Sequence, residues 1–334
     1  MIEIDRTPIT EIRALAARGV PAWLCVDPVE YHGPHLSILN DQLISDGLMR
    51  QSHAALQERH PDWPLVFAGQ LGVGMDATPG PGTVDVSYRE LLRRTCAAAQ
   101  RLVELGFRRI VLMTFHGSPF HNAALWEAAE GLRARGVRVA TPMNLLTRRI
   151  MAPDPEEFAA VYEAVADPAD AARLRARAPE DFHSGFGETS LALHFVPDTV
   201  IDHRSVPSAP ALRILPVWGV LARAADRLGR TVLAQELRFV GMGMAWFGLR
   251  PFPGYTCEPA LATAEIGAIF AELICAGLVE EVEAVLVDGA PSLPPVMRWT
   301  ATLTFGGLYG RANVPLTACV HQVHPQEGTH VDVA

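Results

Sequence analysis

Over the first 150 residues, short unbroken apolar runs take turns with longer stretches whose apolar residues recur every three or four positions. The runs AWLCVDPV (22–29), PLVFAG (64–69), RRIVLMTF (108–115) and VRVAT (137–141) have the length and composition of buried strands. Between them, DQLISDGLMRQSHAALQER (41–59), SYRELLRRTCAAAQRLVELG (87–106) and NAALWEAAEGLRARG (122–136) carry helical spacing. Ser87 with Glu90 makes a capping box, and Gly106 sits where a left-handed stop belongs. Such alternation predicts a mostly parallel sheet covered by helices.

Past residue 150 the pattern loosens. Residues 153–180, rich in Ala, Asp, Pro and Arg, read as exposed helical turns suited to a lid or an oligomer contact. ETSLALHF reads as a helix from Glu188 to near Pro197, and an amphipathic helix falls within 209–229. EPALATAEIGAIFAELICAGLVEEVEAVL (258–286) is the last strong helical pattern, with Gly277 as the point of a break. DGAPSLPP and RWTATLTFGGLYG then read as a linker and a short β-rich appendage, dividing the chain into 1–287 and 288–334.

With 334 residues, 49% of them apolar, the chain can bury a large core. A net charge of −9 and the absence of a basic run argue against a nucleic-acid partner and favour a small-molecule ligand. No secretory leader pattern and no membrane-length apolar segment are present, so a cytoplasmic protein with no membrane partner is expected. The cysteines Cys25, Cys96, Cys257, Cys275 and Cys319 form no CxxC pair and suit packing better than zinc or disulfides.

Candidate chemistry gathers after the strands, where open α/β sheets place their sites. Asp27, Glu30, His32, His35 and Asp41 follow the first run; His116, His121 and Asn122 follow RRIVLMTF; His183 and Glu188 bracket the start of a later helix. Carboxylates and imidazoles without thiolates suit Zn²⁺, Mn²⁺ or Fe²⁺. The glycine-rich stretch GQLGVGMDATPGPGTVD (69–85) lacks the Lys-Ser/Thr of a phosphate loop, and no GxSxG elbow occurs. His53, His60, His194, His203 and the C-terminal histidines read as structural, and the Arg pairs 93–94, 108–109 and 148–149 as solvated faces.

VDPVEYHGPHLSILND (26–41) resembles the opening motif of the creatininase family of metal-dependent amidohydrolases, G-x-x-E-Q-H-G-P-H-L-P followed by T-D. PGPGTVDVS is similar to that family's P-G-T-I-S-L, GFRRIVLMTFHGSPFHN to its G-F-R-R-I-V-I-V-N-G-H-G-G-N, HSGFGETS to its H-A-G-E-x-E-T-S, and GYTCEPALATAEIG to a later G-x-x-G-x-P-x-x-A-T-x-E-K-G. The likeness runs over roughly residues 10–285. It implies a three-layer α/β/α sandwich on a mostly parallel sheet with a short C-terminal extension. It also implies a homo-oligomer, often a hexamer, and one or two divalent metals per chain, Zn²⁺ first. Glu30, His32, Asp41 and His116 match the family's ligands, with Asp41 as the bridging carboxylate; His183 matches the histidine beside the substrate and Glu188 the second glutamate of E-x-E-T-S.

Three departures stand out. The further glutamate that the family uses for its second metal is absent, its positions being Gly117-Ser118 and Phe186, so His121 is the candidate metal ligand in its place, with Glu188, a candidate catalytic residue alongside His183, as the other residue able to reach the metal. Thr114-Phe115 replaces Asn-Gly, and Tyr31 brings an aromatic ring beside the site; Tyr31, Phe182, Phe186 and Tyr255 are the candidate substrate contacts. The resemblance implies hydrolysis of a non-peptide C–N bond in a small molecule by attack of a metal-bound hydroxide, with His183 protonating the leaving nitrogen. A metal-assisted dehydration, cyclisation or lactone-type reaction, or a catalytically silent binding subunit, are the alternatives on the same scaffold.

Overall fold

The computed structural model describes residues 1–151, 156–308, 314–323 and 330–332. The chain opens with a two-residue strand β1 (Ile2–Glu3) and helix α1 (Ile9–Ala17), neither of them marked by the sequence pattern. Regular alternation follows: β2 (Ala22–Asp27), α2 (Asn40–Arg59), β3 (Val66–Gly72), α3 (Tyr88–Leu105), β4 (Arg109–Met113), α4 (Pro119–Arg133) and β5 (Arg138–Ala140). Helices α5 (Met143–Met151), α6 (Ala159–Glu163), α7 (Pro168–Arg177), α8 (Phe186–Phe195), α9 (Pro216–Arg227), α10 (Thr231–Phe247), α11 (Ala264–Leu286) and α12 (Arg298–Leu303) come next. An antiparallel pair, β6 (Val320–Val323) and β7 (His330–Asp332), ends the described chain.

The first five strands form one sheet in the order β1-β3-β2-β4-β5, and every pairing in it is parallel. Parallel strands need crossover connections, and helices supply them on both faces: α1, α3 and α4 pack together on one, α2, α8 and α11 on the other. Central β2 is buried at all six residues, which is why its sequence is an unbroken apolar run rather than an alternating one. Amphipathic α3 buries Leu91, Thr95, Ala99 and Leu102 along one stripe, starts at Ser87, whose hydroxyl accepts from Glu90 N, and stops at left-handed Gly106. The capping box is only half closed, because the Glu90 carboxylate pairs with Arg93 and Arg94.

Several local expectations change. Helix α11 runs unbroken through Gly277, which lies against the Arg149 guanidinium, where an added Cβ would come within 2.7 Å of it. RWTATL is the short helix α12 rather than strand. Most of 153–180 is helical, in α6 and α7, but residues 153–155 lie outside the described residues. Helix α10 has no counterpart in the sequence reading: Gly241 and Gly243 break up its apolar pattern and it is apolar on more than one face, so no single stripe stands out. Arg109 is not a solvated residue, since its guanidinium donates to Gly19 O at 2.7 Å and Leu286 O at 2.9 Å.

β2 has β3 on one side and β4 on the other, so crossovers leave it in opposite directions and open a crevice at its C-terminal end. Asp27 closes the back of that crevice. Its Oδ1 accepts from Thr114 Oγ1 at 2.9 Å and Phe115 N at 2.7 Å, and its Oδ2 from Gln70 Nε2 at 3.0 Å, so one carboxylate ties the ends of three strands. Burial, with the nearby Asp41 charge, raises its pKa from the ordinary 3.8 to about 7. The native state therefore keeps a proton on Asp27 over a range where the unfolded chain has lost it, and stability falls as pH rises from about 4 to about 7. Asp27→Asn keeps the acceptor for Thr114 and Phe115 and removes that proton. In metal-free buffer, urea denaturation should show the variant gaining on the wild type by on the order of 4 kcal/mol between those pH values; a pH-independent difference would exclude this role for Asp27.

Candidate metal centre

The crevice is furnished by loops that the sheet brings together. After β2 the chain passes Glu30 and His32, is closed by Glu30 N donating to Ile38 O at 2.9 Å, and enters α2, whose first turn returns Asp41. His116 follows β4, and Met75 and Thr78 follow β3. His183 stands just before α8 and Glu188 in its first turn. Gly267 of α11 lets α8 approach, since a Cβ there would lie 1.9 Å from Ser190 O.

Three histidines share one arrangement. His32 Nδ1 lies 3.0 Å from Glu30 O, His116 Nε2 3.2 Å from Met75 O and His183 Nε2 3.0 Å from Tyr31 O. A carbonyl only accepts, so each of these nitrogens carries the proton and the other nitrogen of each ring is set by default. Those other nitrogens face carboxylates. His116 Nδ1 is 2.9 Å from Glu30 Oε2 and 3.3 Å from Asp41 Oδ2; His32 Nε2 is 3.1 Å from Asp41 Oδ1 and 3.8 Å from Glu188 Oε2; His183 Nδ1 is 3.8 Å from Glu30 Oε1. Asp41 thus turns one oxygen to His116 and the other to His32. Thr78 N, donating to Glu30 Oε1 at 2.7 Å, and Ser184 N, donating to Glu188 Oε2 at 2.6 Å, hold the flanking carboxylates.

The electrostatics follow from burying this many charges together. Burial opposes protonation of His32, yet Asp41, Glu30 and Glu188 raise its pKa to about 10; His116 is likewise raised against its burial by Glu30 and Asp41. Burial, against the lowering pull of His32 and helped by the Asp41 and Glu30 charges, pushes Glu188 to about 8. Burial, then the neighbouring His32, lowers His183 to about 4, leaving it neutral. Lone-pair nitrogens aimed at carboxylates require a positive charge between them, supplied by protons or by a metal cation. Glu30 Oε2 and Asp41 Oδ2 are buried with no aligned hydrogen-bond donor, and the trios Glu30, His32, Asp41 and His32, His183, Glu188 each bring their ligand atoms within 4.8 Å of one another. The donor set therefore fits a divalent cation.

His121 stands apart from these trios. Its Nε2 faces Val26 O at 3.1 Å and Thr114 Oγ1 at 3.4 Å, behind the edge-on ring of His116, and burial with the adjacent His116 lowers it to about 3. His35 Nε2 lies 3.0 Å from Thr189 Oγ1. Phe182 lines the cleft, whereas Tyr31, Phe186 and Tyr255 do not. The Tyr31 hydroxyl donates to Val320 O, Tyr255 donates to Pro207 O at 3.0 Å, and Phe186 fills a small cluster with Val161, Leu174 and Cys257. Sequence reasoning missed the opposite wall, Phe239, Gly243 and Phe247 from α10 with Val296 and Met297. An apolar helix side that faces a cleft has the same composition as one that faces a core, so no local signal marks it.

The sequence profile of the creatininase family, described as creatinine amidohydrolase, matches residues 6–282. No curated protein matches the chain in sequence. Among solved structures, a creatinine amidohydrolase (creatininase) is 21% identical over 86% of this chain and 98% of its own, with a TM-score of 0.56. A structure described as creatininase Mn is 22% identical over 86% of this chain and 99% of its own, with a TM-score of 0.58. A mutant creatininase described as the Zn-Zn type is 21% identical over 85% and 98%, with a TM-score of 0.58. At such identities the structural likeness is one of fold. The profile match extends over most of the chain, from before β2 to the last turns of α11, and with it the chain belongs to the creatininase family.

Proposed function

We propose that this chain is a metal-dependent amidohydrolase that cleaves a non-peptide C–N bond in a small molecule. The observation that carries the reading is the arrangement of three histidines, each with one nitrogen committed to a backbone carbonyl and the other aimed at a buried carboxylate. Glu30, Asp41 and His116 would hold one divalent cation, and His32, Asp41 and Glu188 a second, with Asp41 shared. In this reading Glu188 takes the role of the glutamate missing at Gly117-Ser118 and Phe186, and Zn²⁺ or Mn²⁺, the ions of the Zn-Zn and Mn creatininase structures, is the natural occupant.

Such cations supply Lewis acidity toward a carbonyl oxygen and lower the pKa of water. The chain's own residues do the rest. The open cleft, with apolar walls and the carboxylate and imidazole cluster at its base, admits a small molecule and orients its amide over that cluster. His183 is neutral, with its Nδ1 lone pair turned to the cluster and its Nε2–H anchored on Tyr31 O. It takes a proton from the attacking water at Nδ1 and returns it to the departing nitrogen as the C–N bond breaks. His183→Ala should lower kcat by about 10² to 10⁴ and leave metal content unchanged.

Metal content tests the ligand assignment. The full-length protein purified without chelators should bind close to two equivalents, Glu188→Gln close to one, and His121→Gln as many as the wild type. A wild type that holds no metal and rebinds none would exclude the hydrolase reading, and loss of metal in His121→Gln alone would exchange the assigned ligands.

Binding should also depend steeply on pH. Without a cation, His32 and Glu188 carry protons at pH 7, and a cation must displace them. Affinity for Zn²⁺ should therefore rise between pH 6 and pH 8, with at least one proton released per ion in calorimetry across buffers of different ionisation enthalpy. Uptake without proton release would contradict it.

A further inference from the structure

Beyond residue 282, where the family match ends, the chain returns to the cleft. Residues 292–299 are tied down along their whole length. Ser292 Oγ and Leu293 N both donate to Glu281 Oε1, at 2.7 and 3.0 Å, while Asn144 Nδ2 donates to Leu293 O at 2.9 Å and Arg148 Nη2 to Pro294 O at 2.7 Å. On α10, Glu236 accepts from Met297 N through one oxygen and from Trp299 Nε1 through the other, each at 2.7 Å. Val296 and Met297 are thereby pressed into the cleft, 3% and 2% exposed.

Beside them on the same wall stand Phe239, Trp246 and Phe247 of α10, with the Phe182 ring 5.4 Å from both Phe239 and Trp246. The charged groups around the cleft are the carboxylates of Glu30, Asp41, Asp76 and Glu188, and among the described residues no Lys or Arg lines it. A substrate carboxylate or phosphate reaching this side finds no cationic side chain among the described residues. A ring finds aromatic faces and a thioether.

We propose that residues 292–299 and α10 form the selectivity wall of the site, and that the amide it takes carries an uncharged, apolar, ring-sized group next to the bond that breaks. The proposal rests on the amidohydrolase reading and adds the substrate class. Gly243 offers a clean way in: it lines the cleft, and a Cβ added there meets no atom within 4 Å, so a larger side chain grows into the space the ring would use. Leucine also favours a helix over glycine, which protects the fold of the variant.

Two hydroxamates separate wall from metal, because both chelate and they differ in a phenyl against a methyl group. The Zn²⁺-loaded full chain, titrated in a calorimeter, should bind benzohydroxamate about tenfold or more tighter than acetohydroxamate, from the apolar area the ring buries. Gly243→Leu should erase that preference and leave acetohydroxamate affinity within about twofold. Met297→Ala should reduce the preference about threefold to fivefold. Equal affinities in the wild type, or a preference that survives in both variants, would overturn the wall while leaving the metal centre standing. Failure of both probes to bind the metal-loaded protein would overturn the amidohydrolase reading and the wall with it.

Discussion

Everything around the cleft answers to one constraint, the burial of several carboxylates in a single place. Glu30 and Asp41 are 1% and 2% exposed, and Glu188 joins them across His32. Charges this deep persist only with compensating positive charge and fixed hydrogen bonds. The fold supplies the fixed part through its main chain: Thr78 N and Ser184 N on the carboxylates, and the carbonyls of Glu30, Tyr31 and Met75 on the imidazoles. These main-chain contacts hold each ring in one tautomer and one direction before anything binds. That is preorganisation, and it explains why the site is built from the loops nearest the sheet.

Asp27 shows how deeply the constraint reaches into the sheet. The carboxylate lies at the position of the family motif's first glycine and receives donors from the Thr114-Phe115 pair that replaces Asn-Gly. The two departures are one structural feature: a carboxylate on one strand end and its donors on the next. It leaves His116 in line with Glu30 and Asp41. The loss of the family's further glutamate has a comparable answer, since Glu188 on the first turn of α8 already faces His32. Phe186, two residues earlier and on another side of the helix, packs in a small apolar cluster instead.

The C-terminal part beyond the family match is not independent of the site. Glu281 and Glu236 hold its backbone, and two of its residues face the cluster of metal-type ligands across the cleft. Chemistry and selectivity are thus assigned to different parts of the chain. Polar strand-end loops carry the first, and an apolar helix with a pinned extended segment carries the second.

What the sequence by itself determined was whatever depends on near neighbours. Runs and stripes specified the alternation of β2 to β5 with α2 to α4, because burial on two faces or one leaves its period in the chain. Family motifs at the strand ends brought forward Glu30, His32, Asp41, His116, His183 and Glu188 as candidates, and the structure gathers all six in one crevice. Tertiary structure decided the rest. The sequence put His121 forward as a metal ligand and Glu188 as a catalytic residue or alternative ligand; packing turned His121 toward Val26 O and Glu188 toward His32. Tyr31, adjacent to two site residues, was drawn out of the cleft by a carbonyl 289 positions away. Helix α10 and residues 292–299 became a cleft wall through contacts with Glu236 and Glu281 that no local pattern encodes. The reason is physical: side-chain chemistry and periodicity are local properties, whereas the direction in which a buried polar atom points is set by the distant partner that satisfies it.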